Sequence, residues 1–546
     1  MRMTGGEAVV RSLEAHGVDT AFGIPGTHNL GIYDALLEMG GIRHILARHE
    51  QGAAFMADGY ARASGEIGVC LSTTGPAALN TLASLGTAYS DSSPVLCIAS
   101  QIPAEGIGLD KGYLHECQDQ LGSFAPVTKW RAGANTVAEI PGVMREAFAQ
   151  MQNGRPRPVA VEIPCDTLDE SDDVTIPAPA AVNRLAPDPE QVERAAGLLR
   201  AARRPVIWAG GGVIGSGAGV ELRQLAEHLQ APIFTTVLGK GAIADDHPLV
   251  AGATILHPAA RAFLAESDLM LAVGTRFTEE ETDRWGLRMP ESLIHIDIDP
   301  EEIDRNYAAT VGVVGDARAA LQLINTELQD VREQGNGSAA GIAHLRQEVW
   351  RYCQDRAPEG VELVQTLRKA LPRETIIVSD LTVAAYWCRR LLDIYEPRTN
   401  IYPWGFCTLG FGLPAAIGAK VAKPDRPVVA LCGDGGFMFN CQELAAAVQL
   451  DTPIVTIVFN DSAYGVLRPQ QEARYGAAHA VDLVNPDFVA LAGAFGVDSC
   501  RVDSIEQLGP AVTKAIEADK SALIELPGTL PWPIMEPSAR MFEAEQ

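Results

Sequence analysis

Short, nearly continuous apolar runs recur along the chain: IGVCLSTT (67–74), PVLCIAS (94–100), PVAVEIP (158–164), PVIWAGGG (205–212), DLMLAVGTR (268–276), LIHIDID (293–299), TIIVSD (375–380), PVVALCGDG (427–435) and PIVTIVFND (453–461). Ala- and Leu-rich spacers of helical length separate them. Strands that read apolar on both faces, alternating with helices, predict mostly parallel sheets covered on both sides, the α/β class. The N-terminal MRMTGGEAVVRSLEAHGV has the spacing of an amphipathic helix.

Two stretches interrupt this rhythm. TLDESDDVTIPAPAAVNRLAPDPE (167–190) is acidic and then rich in Pro and Ala, and QDVREQGNGSAAG (329–341) is polar and carries glycine, so neither packs a core. They divide the 546 residues into three expected domains, 1–168, 188–330 and 355–535. The tail PSARMFEAEQ (537–546) predicts nothing by itself. Forty-three Lys and Arg against 69 Asp and Glu give a formal charge of −26, a field that repels polyanions and disfavours nucleic acid as a partner. Ten cysteines without a C-x-x-C pair or zinc spacing fit a reducing cytoplasm. No signal-peptide core and no run of about 18 apolar residues is found, so neither secretion nor membrane spanning is expected.

The richest segment chemically is GDGGFMFNCQELAAAVQLDTPIVTIVFND (433–461). It reads as a strand end, a Gly-Asp-Gly turn, a helical run over Cys441–Leu450 and a second strand ending at Asn460-Asp461. That order puts both polar clusters at the carboxyl edge of one sheet, where open α/β folds bind ligands. Gly435 and Gly436 can present backbone N–H groups to a phosphate, and Asp434 and Asp461 offer oxygens to a hard cation bridging a diphosphate. The same residues also read as ordinary strand-end turns. A second segment, RHEQGAAFMADGYARASGEIGVCLSTTGPAALN (48–80), opens a helix of small residues at Glu50 and ends in a Thr-Thr-Gly turn.

Together these segments resemble the thiamine diphosphate-dependent enzymes, in their acetolactate synthase-like branch of 2-oxo acid decarboxylases and carboligases, and the resemblance spans essentially the whole chain. It implies pyrimidine-binding, central and diphosphate-binding domains. Asp434, Asp461 and the carbonyl of Ala463 are then the Mg2+ ligands, with Asp461 standing where the family carries Asn. Gly433, Gly435, Gly436, Tyr464 and Gly465 become diphosphate-end contacts, Thr382 a looser one, and Thr74 a contact in the first domain. Glu50 becomes the buried acid that exchanges a proton with the pyrimidine N1′, for which a raised proton affinity is suited. In GFCTLGFGLPAAIGAKVAKP (405–424), Leu409 takes the place of the apolar wedge under the cofactor and Cys407 that of a carbonyl acceptor for its 4′-amino group.

The implied reaction is decarboxylation of a small-molecule 2-oxo acid, with the product either protonated or joined to a second carbonyl. GIPGTHNL (23–30) resembles the loop beside the thiazolium, which places Pro25, Gly26, Thr27 and His28 near substrate; His115 and Glu116 in LHECQDQ fall where relatives carry active-site side chains. Two imidazoles there could move protons near neutral pH. Thr73 replaces the His of simple decarboxylases and Gln470 the Trp of biosynthetic synthases, so neither subfamily fits cleanly; the turn composition is similar to guanidino-oxopentanoate decarboxylase and carboxyethylarginine synthase. WAGGG (208–212), GTRF (274–277) and HIDID (295–299) resemble a middle domain that in some members binds FAD or an ADP group; without G-x-G-x-x-G, structural glycines at Gly210, Gly211 and Gly212 are the favoured reading and bound FAD the disfavoured one. A homodimer, commonly paired into a homotetramer, is implied because the family builds each site from two chains. A lyase or hydrolase on a diketone or acyl-CoA is the alternative within the same cofactor class. A degenerate regulatory subunit would lack Glu50 or the metal carboxylates, and all three acids are present.

Overall fold

The computed structural model describes residues 1–330 and 338–533. The tail 537–546, the last positions of the expected third domain and the centre of the polar stretch 329–341 lie outside the described residues. Three six-stranded sheets carry the architecture, and every strand pair within them is parallel. The chain is α/β, as its apolar runs predict. A two-stranded antiparallel ribbon joins Arg2–Thr4 to Ser171–Asp173.

In spatial order the first sheet runs Arg43–Leu46, Thr20–Gly23, Gly68–Ser72, Val95–Gln101, Val159–Pro164 and Trp130–Gly133. The central sheet runs Val250–Gly252, Ile233–Thr235, Pro205–Ala209, Leu269–Val273, Ser292–Asp297 and Val311–Val314. The last runs Asn400–Ile401, Ile376–Ser379, Val428–Gly433, Val455–Asn460, Ala522–Pro527 and Asp498–Arg501. Each apolar run forms a strand, trimmed at its polar ends. Between Val174 and Asp188 the chain has no regular structure, consistent with its Pro and Ala content. The N-terminal helix, Gly5–Ala15, starts with a capping box in which Thr4 and Glu7 satisfy each other's backbone N–H groups.

The first and last sheets are joined by two helices, α1 (Glu50–Ser64) and α2 (Gly412–Ala422), whose alanines form one continuous buried cluster. Their backbones touch because glycine stands at both crossing points. A Cβ on Gly59 would lie 2.0 Å from the Ala415 carbonyl oxygen, and one on Gly418 would lie 1.9 Å from that of Met56. Around this crossing Arg62 pairs with buried Asp58 and Asp91 and donates to the Tyr402 carbonyl, while Asp91 accepts from Trp404 N and Gly405 N.

Candidate active site

The carboxyl edge of the last sheet gathers the acids singled out by sequence. Strand Val428–Gly433 passes directly into helix α3, Asp434–Asn440, with Gly433 as its N-cap, so the expected Gly-Asp-Gly turn is instead the start of a helix. Glycine permits this: a Cβ on Gly435 would lie 2.7 Å from the Tyr464 ring, and one on Gly436 3.1 Å from the Asp380 carboxylate. The helical run expected over Cys441–Leu450 is a 3₁₀ turn, Cys441–Glu443, followed by helix Leu444–Gln449.

From the neighbouring strand, Val455–Asn460, the chain delivers Asp461 and then turns at Ser462, which has a left-handed φ of 53°. Burial raises the proton affinity of both Asp434 and Asp461; for Asp461, the charge of Asp434 adds to burial and the value reaches about 6. Ala463 is buried and bridges to Asp482, and Tyr464 N donates to the Val481 carbonyl, which fixes the turn carrying the Ala463 carbonyl. Gly465 leaves room for the Asp461 carboxylate: a Cβ would meet Asp461 Oδ2 at 1.9 Å. Asn485, which sequence did not flag, donates from Nδ2 to Asp434 Oδ2 at 2.6 Å and to Asn460 Oδ1 at 3.0 Å.

Thr382 caps the helix Val383–Leu391 and lies against the Gly433 backbone, so it faces the start of α3. Beside it Asp380, also missed, is fully buried and accepts from Leu381 N, Gly410 N and Gly412 N, fastening this edge to the turn before α2. Burial pushes its carboxyl up to about 6. In that turn Cys407 adopts a left-handed φ of 53° and its thiol donates to the Trp404 carbonyl. Leu409 is half-buried, and the turn is held by Asn440 donating to the Gly410 carbonyl at 2.8 Å.

The carboxyl edge of the first sheet supplies the second group. Glu50 is the first residue of α1 and, contrary to the expectation of a buried acid, is only partly covered; its Oε2 accepts from Asn80 Nδ2 at 2.9 Å. A sheet edge that ends in open space cannot bury it within one chain. Pro25 and Thr27 are exposed and Gly26 half-buried in the loop after Thr20–Gly23, which buried Asn29 holds by accepting from Gly26 N and donating to the Ile24 carbonyl. Gly26 packs on Thr73, where a Cβ would meet the Thr73 side chain at 2.6 Å. Thr74 is buried and shares a hydrogen bond with Ser100 at 3.1 Å.

His28 and His115 come together edge to face, with ring centroids 5.6 Å apart. Burial first and the nearby His115 second lower the proton affinity of His28. His115 sits at a left-handed φ of 63° and its carbonyl presses on Gly75. Glu116 accepts from Lys111 N, Gly112 N and Tyr113 N, so its carboxylate closes its own turn. Gln120, in the same run but unremarked in sequence, is buried and accepts from Gly75 N at 2.6 Å while donating to Glu162 at 2.8 Å. Its alternation with polar neighbours gave no signal of burial.

A cavity of about 880 Å³ opens where the three sheets meet, lined among others by Gly211, Gly212, Gly274, Arg155, Arg276 and Asp297. The glycines serve backbone approach: a Cβ on Gly210 would lie 2.1 Å from the Gly274 carbonyl oxygen, and one on Gly212 2.6 Å from Gly274 Cα. Among the described residues, no group of three or more His, Cys, Asp or Glu side chains gathers as a metal site, so the candidate cation set is two carboxylates and a carbonyl. No helix among them is long and apolar enough to cross a membrane.

Family comparisons fall on each of the three sheet-forming regions in turn. Residues 3–123 match the N-terminal TPP binding domain of thiamine pyrophosphate enzymes, 192–324 the central domain and 380–526 the C-terminal TPP binding domain. The chain belongs to the thiamine pyrophosphate enzymes. More particularly, it is 40% identical to a probable 2-ketoarginine decarboxylase of Pseudomonas aeruginosa over 96% of this chain and 94% of that one. It is 39% identical to a probable acetolactate synthase large subunit of Methanocaldococcus jannaschii, over 96% and 92%. The large subunit of Escherichia coli acetolactate synthase isozyme 3 is 34% identical over 94% and 92%. These relatives place the chain on the acetolactate synthase-like branch, as an enzyme of the decarboxylase and carboligase kind that uses thiamine diphosphate.

Proposed function

We propose that the protein decarboxylates a 2-oxo acid with thiamine diphosphate and Mg2+, the product being protonated or joined to a second carbonyl. The observation that carries this reading is the convergence of Asp434 and Asp461 beside a glycine-lined helix start at one sheet edge. Two part-buried carboxylates, both with raised proton affinity and one of them raised further by the charge of the other, fit a divalent cation, and N–H groups free of side chains fit a diphosphate. Asp434, Asp461 and the Ala463 carbonyl would hold the metal, with Gly433, Gly435, Gly436, Tyr464, Gly465 and Thr382 around the diphosphate. Cys407 and Leu409 would contact the cofactor's centre, and Pro25, Gly26 and Thr74 its thiazolium side. When bound, the cofactor supplies the carbon nucleophile and electron sink for loss of carbon dioxide. Glu50 exchanges a proton at the pyrimidine N1′, and His28 and His115, with Thr27, move protons at the substrate. Glu116, whose oxygens are occupied by its own turn, supports that loop.

The working unit is proposed to be a homodimer or homotetramer. Glu50 is left partly exposed at an open edge, and Phe406, Met438 and Phe439 expose 53%, 40% and 47% of their surface. A plain decarboxylase acting on a guanidino 2-oxo acid is a second reading, favoured by the similarity to the 2-ketoarginine decarboxylase and by the imidazole pair able to deliver a proton. One screen decides: 2-oxo acids supplied with thiamine diphosphate and Mg2+, scored for carbon dioxide and product mass. Aldehyde alone supports the decarboxylase, a longer 2-hydroxy-3-oxo acid supports the carboligase, and no carbon dioxide from any 2-oxo acid overturns both.

A further inference from the structure

Glu443 has no part in the chemistry described so far, yet it ties the backbone just before Glu50 to the segment after α3 of the same chain. It ends the 3₁₀ turn that follows α3, and its side chain is completely buried. Both carboxylate oxygens accept from Arg48 N at 3.1 Å, and Oε1 also accepts from His49 N at 3.0 Å. His49 is the N-cap of α1, and Glu50 is the first residue of that helix. Gly52 makes the approach possible, since a Cβ there would meet Glu443 Oε1 at 2.4 Å. Arg48 Nη2 adds a bond to Gln449 Oε1 at 2.6 Å, and Asn440 Nδ2 reaches Gln51 Oε1 at 3.5 Å. The backbone that delivers Glu50 is therefore hung on the segment that begins at Asp434.

Burying this carboxylate is costly. Its hydrogen-bond donors are backbone N–H groups at the positive end of α1, Arg48 adds charge, and burial with the charge of Glu50 still raises its proton affinity to about 7. An apolar side chain would take away the acceptor of the Arg48 and His49 N–H groups.

We propose that Glu443 is a positioning residue for Glu50: by holding the Arg48–His49 backbone against the segment after α3, it fixes where the first residue of α1 stands. This rests on the assignment of Glu50 as the group that exchanges a proton with the cofactor. The test compares Glu443→Ala, which removes the acceptors, with Glu443→Gln, which keeps one. Amide hydrogen exchange is read on the cofactor-free protein, and deuterium exchange at C2 of added thiamine diphosphate is read with Mg2+. In the Ala variant, amides of residues 48–53 should exchange about 10- to 100-fold faster, with strands Gly68–Ser72 and Val428–Gly433 unchanged. C2 exchange should slow about 10- to 100-fold, the scale of a misplaced catalytic group. Gln should restore both readings to within about threefold of the parent, as expected if one retained acceptor suffices. The proposal is overturned if the Ala variant exchanges C2 at the parent rate, if amide exchange rises uniformly through the chain, or if Gln does no better than Ala. A parent protein that leaves C2 at the free-cofactor rate overturns the Glu50 assignment itself, an outcome distinct from any difference between variants.

Discussion

The charge of Asp434 acts on Asp461, adding to burial to hold that carboxyl at about 6. The proposed cation, held by both, would replace that repulsion with two attractions. Chelation followed by gel filtration should strip thiamine diphosphate from the protein, and metal analysis with cofactor mass checks it. Asp434→Ala should abolish cofactor binding, while Asp461→Asn, which keeps an oxygen, should retain it. If Asp461 binds Mg2+ as proposed, the ion has to displace its proton, so the affinity should weaken as pH falls through about 6, measurable by calorimetry at pH 5.5 and 7.5.

Glu50→Gln keeps volume and one hydrogen bond but cannot exchange a proton. Cofactor affinity should change modestly, whereas C2 exchange of bound thiamine diphosphate, followed by NMR after acid quench, should fall about 10²–10⁴-fold. Parent-like exchange would remove Glu50 from the mechanism.

The open edge at Glu50 and the exposed Phe406, Met438 and Phe439 predict self-association. Sedimentation of active protein should give a dimer or tetramer, and charge at Phe439 should dissociate it with loss of activity. A fully active monomer contradicts the assembly.

Gly59→Ala and Gly418→Ala each place a methyl within about 2 Å of a backbone oxygen on the facing helix. Helix propensity favours alanine by about 1 kcal/mol, but overpacking costs about 1–3 kcal/mol, so each variant should melt lower. Thermal unfolding that matches the parent would mean the crossing yields.

Asp297 offers a pH test away from the proposed metal site. Burial is the main cause that pushes it up to about 6, with Arg155 offsetting part. Its ordinary unfolded value is about 4, so between pH 4 and 6 the folded state binds the extra proton and stability falls as pH rises. Asp297→Asn keeps the acceptor for Asp299 N. The variant should be more stable than the parent by about 2 kcal/mol at pH 8, with the advantage shrinking towards pH 5. Equal shifts at both pH values would refute this.

The sheets were readable because buried parallel strands are apolar on both faces, as Val428–Gly433 and Val455–Asn460 show. Edge strands such as Asp498–Arg501 and Asn400–Ile401 are short or polar and leave no such trace. Asp434 and Asp461 stood out as acids at the ends of apolar strands, and Glu50 as the acid that opens a helix of small residues. Gln120, Asp380, Asn485 and Glu443 did not, because each acts through a partner at least 30 residues away in sequence: Gly75 for Gln120, Gly410 for Asp380, Asp434 for Asn485 and Arg48 for Glu443. The exposure of Glu50 was not foreseeable from one chain's sequence, since an acid at a helix start reads alike whether it is covered by its own chain or by another.

The glycine crossing of α1 and α2 has a consequence for exchanging domains between relatives. A contact made of carbonyl oxygens and missing side chains has almost no tolerance for a new partner, because neither surface has a side chain that can rotate away. Chimeras that join the first domain of this chain to the last domain of a relative should therefore succeed only where the incoming helix keeps glycine at the position of Gly418 and a small residue at that of Ala415. The central sheet, which takes no part in that crossing, is the segment to exchange first.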